Sequence, residues 1–252
     1  MAEDIAGRGD PLKTLQLLWR RADAPRRGPR PRASLDDIVG AAVALADTEG
    51  LDAVSTRRVA EAVGISPMSF YTYVPSKNEL LDLMVDAALG AIVPTVGNGW
   101  RARVEHLARQ YWALGLAHPW VHQLATHRPA LGPHTLAAWE AGLASVDGIG
   151  LDEIEMDMVV TLVANYVNGA VRDAARENTV KTLTGMTDVE WWEKVAPFLN
   201  TVDFSPYPVG SRVGPVVGEA YGAHDPQRAF DFGLQRVLDG LAVFIDGKVA
   251  GR

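Results

Sequence analysis

The sequence predicts an all-α protein with a three-helix unit over residues 34–80 and a larger helical domain over residues 81–252. Apolar residues recur at helical spacing through most of the chain after residue 34. Capping residues, glycines and prolines separate these periodic segments, and no segment shows the alternation of a β-strand. The chain has 252 residues, 48% hydrophobic and 22% charged, which is typical of a globular protein with room for two domains.

The composition excludes several classes of protein. The chain has no cysteine, which excludes disulfides, thiolate metal ligands and a cysteine nucleophile. No apolar run approaches the roughly 18–20 residues that a membrane-spanning helix requires, and the N-terminus lacks the apolar core of a signal peptide. We therefore expect a cytoplasmic protein that has no membrane partner and needs no cofactor.

Residues 1–33 predict a basic arm in front of the first helix. The net charge of the chain is −7, yet residues 18–32 hold six arginines against one acid, Asp23. Three prolines predict that this segment is stiff and extended, because proline fixes φ and blocks a helix. A short apolar patch over residues 12–19 shows no sustained periodicity.

Capping chemistry predicts the helices of the three-helix unit. Ser34, followed three residues later by an acid, marks the start of a helix over residues 35–49. Ser55 caps a second helix, and Gly64 supplies the left-handed conformation that ends a helix at low cost. Ser66 caps a third helix, with a proline at its first position.

The second and third helices are predicted to form a helix-turn-helix over residues 54–77. Phe70 and Val74 lie four residues apart and are expected to face the core, which leaves hydroxyl and aromatic side chains outside. A helix that is merely solvated usually carries Glu, Lys and Gln on that face. The pattern therefore predicts a DNA-reading helix. The alternative is an ordinary pair of packed helices without a role in DNA binding.

The rest of the chain is also predicted to be helical. A fourth helix begins at residues 76–79, which form a capping box, and leads into the second domain. Residues 203–223 are rich in proline and glycine and predict a long loop. The remaining predicted helices are 100–117, 133–146, 152–177, a short helix capped by Thr187, and a last helix that starts at Asp225-Pro226.

The helix over residues 152–177 carries two adjacent apolar stripes, which make its apolar arc too wide for burial on one side. The last helix has a similarly wide arc. We expect these two helices to form a homodimer interface; the alternative is that each lies at the centre of its own bundle. The first stripe is Ile154, Met158, Leu162, Tyr166 and Ala170, and the second is Val159, Val163, Val167 and Val171.

The helix-turn-helix and the helical remainder resemble the tetracycline-repressor (TetR) family of bacterial regulators. The resemblance rests on Ser34–Leu89, and within it on the segments 56–60, 63–66, 70–74 and 76–81. It implies a homodimer that binds palindromic operator DNA through one reading helix per half-site. It also implies that a small-molecule effector in each C-terminal domain changes the separation of the reading helices and releases the DNA, with repression as the family default.

The resemblance and the residue chemistry together give the expected DNA contacts. The tyrosine hydroxyls, Thr56 and Lys77 are expected to hold phosphates, and Met68 and Ser69 to meet base edges. The reading helix has no Arg, Asn or Gln for bidentate purine contacts, so Arg57 is expected to read a guanine. The complete set is Thr56, Arg57, Ser66, Pro67, Met68, Ser69, Tyr71, Thr72, Tyr73 and Lys77.

The basic arm resembles that of an actinobacterial-type subgroup of the family. Extended basic arms enter a flanking minor groove in other DNA-binding proteins. The alternative is a disordered, solvated tail, which is common for termini rich in Pro and Arg. The candidate DNA contacts in the arm are Arg26, Arg27, Arg30 and Arg32.

A ligand site is expected in the C-terminal domain. Aromatic walls with a few polar groups are typical of a small-molecule pocket, although each such residue singly could be core or surface. Asn165, Asn168 and Arg172 interrupt an otherwise apolar helix, and a buried polar group requires a partner. The candidates are Trp112, Trp120, His122, His127, Trp139, Asn165, Tyr166, Asn168 and Arg172.

Three histidines, His118, His122 and His127, lie close enough in sequence to suggest a metal site, but their spacing does not support one. Pro119 places His118 before a helix, so it need not share a face with His122. No carboxylate lies among them, and a zinc site usually needs three or four converging ligands. We therefore predict no metal site.

No motif indicates an enzyme. The sequence lacks a phosphate-binding glycine loop, a zinc-protease His-Glu motif and a nucleophile elbow. We therefore predict a ligand-responsive DNA-binding regulator that is not an enzyme. The alternatives are a dimeric DNA-binding regulator without an effector and an all-helical enzyme with an incidental helix-turn-helix.

Overall fold

The structure, a computed structural model, describes residues 9–21, 32–94, 97–124, 129–222 and 225–250. Within those residues the backbone forms α-helices, two 3₁₀ turns and connecting loops, and no β-strand. The prediction of an all-α fold is confirmed. No helix in the described part of the chain has both the length and the apolar character needed to cross a membrane.

The helices are named in chain order. Within the described residues they are α1 (Pro11–Leu18), α2 (Leu35–Glu49), α3 (Thr56–Ala62), α4 (Pro67–Phe70), α5 (Lys77–Leu89), α6 (Trp100–Ala117), α7 (Pro133–Val146), α8 (Glu153–Thr184), α9 (Asp188–Leu199), α10 (Pro208–Tyr221) and α11 (Pro226–Ala250). The 3₁₀ turns are Leu51–Ala53 and Pro119–His122.

Helices α2, α3 and α4 pack with α5 around the first of two large hydrophobic cores. Ser34 begins α2 as predicted: its hydroxyl accepts a hydrogen bond from the Asp37 N–H at 3.0 Å, and the Asp37 carboxylate accepts one from the Ser34 N–H at 2.8 Å. Ile38, Val59 and Phe70 are completely buried where the helices meet. Local capping therefore sets the helix starts, and apolar burial holds the helices together.

The segment before α2 contains a helix that the sequence analysis did not predict, because residues 11–18 form α1 ahead of the proline-containing segment that was expected to be extended. The Asp10 carboxylate accepts hydrogen bonds from the backbone N–H groups of Leu12 and Lys13, and a proline occupies the first helical position. Leu17 and Leu18 are buried in the first core. The Asp-Pro pair is the same start signal that predicted the last helix, and it was overlooked in this short apolar patch.

Polar contacts hold α1 between the N-terminal core and the loop that precedes α7. The Asp10 N–H donates to the carboxylate of the buried Glu79 at 3.0 Å, and the Trp19 indole N–H donates to the Leu131 carbonyl at 3.1 Å. The Ser76 hydroxyl also donates to Glu79. Burial alone would raise the pKa of Glu79, but these hydrogen bonds outweigh it and lower the pKa below its usual range.

Helices α6, α7, α8 and α11 form the C-terminal part of the structure around the second core. Val163, Val167 and Val171 of α8 are almost completely buried there, as are Phe230 and Leu234 of α11. One of the two predicted stripes of α8 thus faces its own subunit. The other stripe lies largely on the surface.

Two elements after the middle of the chain differ from the predictions. Helix α8 runs to Thr184, beyond the predicted end near residue 177. The predicted loop over 203–223 contains α10, which begins with Pro208 and carries Pro215 inside it. Its proline and glycine content favours a loop, but its valines recur at helical spacing and were the signal for a helix.

Side chains from α5 and from the second 3₁₀ turn join the N-terminal helices to the elements that follow them. The buried Asp86 carboxylate of α5 accepts hydrogen bonds from the backbone N–H and the hydroxyl of Thr135 at the start of α7, both at 2.8 Å. The Trp120 indole N–H donates to the Asp47 carboxylate of α2 at 2.6 Å. Displacement of α5 or of this turn would therefore reach both parts of the molecule.

Candidate nucleic-acid interface and ligand cavity

The turn between α3 and α4 has the closed geometry of a helix-turn-helix. Ser55 accepts a hydrogen bond from the Arg58 N–H at 3.3 Å, and Ser66 accepts one from the Ser69 N–H at 3.1 Å. Between the helices Gly64 has a φ of +71°, in the left-handed region that favours glycine. The predicted caps and helix end are therefore confirmed.

Helix α4 is short, and hydrogen-bonded turns continue from it as far as Val74. Phe70 and Val74 are both fully buried, as predicted. The opposite side is open to solvent: the Met68 side chain is 79% exposed and the Tyr71 side chain 49%. Hydroxyl and aromatic groups thus form a surface over a filled core.

Hydrogen bonds fix the hydroxyl groups of this surface. The Thr56 and Tyr71 hydroxyls lie 3.2 Å apart, which joins the start of α3 to the end of α4. The Thr72 hydroxyl donates to the Ser69 carbonyl at 2.6 Å, and the Ser66 and Ser69 hydroxyls lie 2.8 Å apart. The polar groups expected to meet DNA are therefore ordered before any DNA binds.

Exposure of the predicted DNA contacts follows the helix faces. The exposed residues are Arg57, Ser66, Pro67, Met68, Tyr71 and Thr72, and the half-buried ones are Thr56, Ser69, Tyr73 and Lys77. All of them lie between residues 56 and 77, on or next to the helix-turn-helix.

The two adjacent arginines at the start of α3 differ in their partners. Arg58 binds the Glu49 carboxylate through both terminal nitrogens, at 2.9 and 2.6 Å, and this hydrogen bonding raises the pKa of Arg58 and lowers that of Glu49. Arg57 is exposed and has no ion pair within the described residues. Arg58 therefore braces α3 against α2, while the Arg57 guanidinium is available to a ligand.

Most of the candidate arm lies outside the described residues. This applies to Arg26, Arg27 and Arg30. Arg32 is described and exposed, two residues before the Ser34 cap. The start of α2 therefore lies directly after this basic segment.

A cavity of about 620 Å³ lies among α5, α6, α7, α8 and the second 3₁₀ turn. Four of the nine predicted ligand residues line it: His122, Trp139, Asn168 and Arg172. Three polar lining residues, Tyr111, Thr135 and Thr161, were missed by the prediction. Thr161 lies seven residues before Asn168 on α8, so helical spacing was the signal that could have found it.

The other predicted ligand residues correct the expectation of one shared cavity. Trp112 stacks on Phe230 in the second core, and Trp120 is buried in the first. The Tyr166 hydroxyl donates to the Phe230 carbonyl at 2.6 Å, and Asn165 is exposed on another face of α8. His127 lies outside the described residues. These side chains lie apart because each helix turns a different face to the cavity. The sequence alone does not show which face that is.

Burial favours the neutral forms of two titratable groups that line the cavity, His122 and Tyr111. The His122 Nε2 atom is buried and has no hydrogen-bond partner within the described residues. Burial, and secondarily the charge of Arg172, lowers the pKa of His122. Burial raises the pKa of Tyr111, so its hydroxyl keeps the proton. A Cβ at Gly115 would lie 2.5 Å from His122 Nε2, so glycine is what admits the imidazole at this place.

The two described histidines of the group, His118 and His122, have different surroundings. His118 Nδ1 lies 2.8 Å from the Asp47 carboxylate, whereas His122 lines the cavity. The described residues contain no group of three or more His, Asp or Glu side chains placed to hold a metal ion.

The outer faces of α8 and α11 carry an apolar surface, which we call the α8/α11 face. On α8 the Ile154, Met158 and Leu162 side chains are 73%, 57% and 47% exposed. On α11 Phe232 and Val243 are 64% and 76% exposed. Large apolar side chains at this density are typical of a surface covered by another protein chain.

Comparisons with known proteins assign these features to one family. Residues 38–84 match the model for bacterial regulatory proteins of the tetR family, and residues 93–245 match the tetracyclin repressor-like C-terminal domain. The chain is 40% identical to the HTH-type transcriptional repressor DrrR1 of Streptomyces coeruleorubidus, over 96% of this chain and 89% of that protein.

Solved structures show the same architecture. Apo ActR from Streptomyces coelicolor matches with a TM-score of 0.70 at 24% identity, over 89% of this chain and all of that one (100%). ActR in complex with actinorhodin matches with a TM-score of 0.68 at 25% identity, over 86% of this chain and 99% of that one. These relatives are regulators and not enzymes. The chain belongs to the tetracycline-repressor family and is a helix-turn-helix transcriptional regulator.

Proposed function

We propose that the protein is a cytoplasmic, homodimeric repressor that binds a palindromic operator and releases it when a small molecule fills the cavity of each subunit. The observation that carries the proposal is the pre-ordered surface of α3 and α4, with its exposed Arg57, next to a domain that contains a cavity. We also propose the domain division expected from the sequence, with the boundary near residue 80.

The DNA contacts fall into two classes. Thr56, Tyr71, Tyr73 and Lys77 would bind phosphates and fix the register of the protein on the duplex. Ser66, Pro67, Met68, Ser69 and Thr72 would meet base edges through thymine methyl contacts and single hydroxyl bonds. Arg57 would supply the strong contact to a guanine that α4 lacks.

The dimer would form through the α8/α11 face. Mutual coverage of Met158, Leu162 and Phe244 by a second copy would remove these side chains from water. Leu162→Glu should therefore yield monomers, whereas Leu12→Glu, at the 72% exposed Leu12 of α1, should leave the dimer intact. Light scattering measures the molar mass, and a wild-type monomer would contradict this part of the proposal.

The effector would act through α5. Val85 and Leu89 of α5 line the cavity, and Asp86 binds the start of α7, so an occupant that displaces α5 also moves the helix-turn-helix ahead of it. ActR, whose complex with actinorhodin has a similar fold, gives a precedent for a small molecule in such a domain.

A DNA-binding assay tests the proposal. A gel shift at low salt with DNA that flanks the gene should show a protein–DNA complex. Addition of a small-molecule effector should dissociate this complex. The Arg57→Ala variant is the matched control for specific contact. Absence of any shift would contradict DNA binding, and a shift that no compound affects would favour a regulator without an effector.

The arm can be tested separately. Because α1 packs into the first core, deletion of residues 1–33 would disturb the fold, and substitution of the arm arginines by alanine is the cleaner change. Loss of each phosphate contact should reduce the slope of log affinity against log salt by about 0.9. An unchanged slope would show that the arm does not contact DNA. The substituted residues are Arg26, Arg27, Arg30 and Arg32.

A further inference from the structure

The polar side chains that line the cavity have almost no partners of their own. Tyr111, Thr161, Asn168 and Arg172 make no hydrogen bond through their side chains within the described residues, and His122 Nε2 is buried without one. Thr135 is the exception, since its hydroxyl donates to Asp86 at 2.8 Å. Buried polar groups in proteins are normally hydrogen-bonded, and of these groups His122 Nε2 is the buried one that lacks a partner within the described residues. Thr161 and Arg172 are exposed, so a ligand in the cavity would meet them without breaking a protein hydrogen bond.

Most of these groups are hydrogen-bond donors. The guanidinium of Arg172 offers only donors, and the tyrosine hydroxyl and the amide of Asn168 add further N–H and O–H groups. A ligand with acceptor oxygens would therefore match the guanidinium and these N–H and O–H groups.

The charge of the lining is one-sided. Within the described residues the lining contains no Asp or Glu, and Arg172 stands at its exposed edge without an ion pair. The two carboxylates bonded to lining residues are already engaged: Asp86 by Thr135, and Asp157 by the indole N–H of Trp139 at 3.2 Å. A positive charge that has no ion pair in the described part of the chain favours an anionic ligand.

The shape of the lining adds an aromatic requirement. Trp139 and Tyr111 contribute flat surfaces, and leucines, valines and alanines fill most of the rest. A volume of about 620 Å³ lies within the range of pockets for drug-sized molecules. A ring system that can stack on these aromatic side chains suits the mostly apolar lining better than a small polar metabolite does.

We propose that the effector is a fused-ring aromatic acid whose carboxylate binds Arg172 and whose ring oxygens accept from Tyr111 and Asn168. The proposal rests on the proposed function, because it names the ligand class of the same cavity. Burial, and secondarily the charge of Arg172, lowers the pKa of His122, so the proposal assigns the cationic contact to Arg172 and not to His122.

The experiment uses two probes that differ in charge and share one ring system: anthraquinone-2-carboxylate and anthraquinone-2-carboxamide. Equilibrium dialysis against the full chain without DNA measures the affinity of each. The carboxylate should bind about tenfold more tightly than the amide, because a charge-assisted hydrogen bond is roughly twice as strong as a neutral one. Arg172→Gln should abolish that difference, because most of the loss of affinity should fall on the carboxylate.

Two further variants guard against trivial explanations. Arg172→Lys keeps the charge and should keep part of the preference for the acid, even if the substituted side chain packs less well. Arg212→Gln removes an exposed guanidinium from α10, which contributes no residue to the cavity, and should change neither affinity.

The outcomes separate this inference from the proposed function. Equal binding of the two probes, or tighter binding of the amide, would overturn the acid proposal, although the cavity would still bind ligands. Failure of both probes to bind would also overturn it. Release of operator DNA by neutral compounds in the gel shift would then still support a ligand-responsive repressor. A preference for the acid that Arg172→Gln removes supports the proposal.

Discussion

The helix-turn-helix surface and the cavity differ in what their polar groups bind. On the helix-turn-helix the hydroxyls pair with one another or with the backbone, as Thr56 does with Tyr71. In the cavity the side chains of Tyr111, Asn168 and Arg172 have no such partners within the described residues. The hydroxyls of the helix-turn-helix surface are held in place before DNA binds, whereas these side chains of the cavity remain free to bind a ligand. This difference suits a rigid helix-turn-helix that is controlled by the C-terminal domain. The conformation of that domain would change when a ligand binds the free polar groups of the cavity.

The largest expected effect is on folding stability, and it tests whether the helix-turn-helix is a tightly packed unit. Phe70→Ala should destabilise the protein by about 3–5 kcal/mol, because the ring is fully buried where α2, α4 and α5 meet. Urea denaturation measures the loss. Met68→Ala is the matched control, since that side chain is 79% exposed, and it should weaken operator binding without lowering stability. Equal stability of the two variants would show that the helix-turn-helix is not a packed unit.

The next effect concerns base readout. Arg57→Ala should cost about 1–3 kcal/mol of operator affinity, and the loss should concentrate at one base position. Binding to operators with single base changes, measured at one salt concentration, checks this. The control is Arg58→Ala, which removes the ion pair with Glu49 and should reduce affinity for all sequences alike. A uniform loss for Arg57→Ala would make it a phosphate contact only.

The two regions also differ in how far the sequence predicted them. The helix-turn-helix lies within residues 56–77, where each cap and turn acts on its immediate neighbours, so Ser55, Gly64 and Ser66 predicted its geometry. The cavity collects residues from Val85 to Arg172 across several elements. Which face of α8 meets it depends on tertiary packing, and this is why Asn165 was grouped with Asn168 although only Asn168 lines the cavity.

A smaller effect tests the hydrogen bond that attaches the start of α1 to Glu79 of α5. Glu79→Gln should cost about 1–2 kcal/mol at neutral pH, because it weakens the bonds from Asp10 and Ser76 to a buried carboxylate. The pKa of Glu79 is lower in the folded protein than in the unfolded chain. The stabilisation is therefore complete above the usual carboxylate range and is lost as pH falls through the lowered pKa.

Urea denaturation over a pH series checks this dependence. The difference in stability between wild type and Glu79→Gln should shrink as the solution becomes acidic. Glu140→Gln, on the exposed face of α7, should show no difference at any pH. A difference between wild type and Glu79→Gln that stays constant with pH would mean that the charge of Glu79 does not hold α1.

The smallest effect compares two asparagines of α8, of which Asn168 lines the cavity and Asn165 does not. Asn168→Ala should weaken binding of anthraquinone-2-carboxylate by about 0.5–1.5 kcal/mol, the net value of one neutral hydrogen bond. Asn165→Ala removes the same group three residues away, on an exposed face, and should leave binding unchanged. Equilibrium dialysis resolves the two. If both variants lose the same affinity, the change acts through α8 as a whole and not through the cavity. If only Asn168→Ala loses affinity, an amide that has no protein partner binds the ligand.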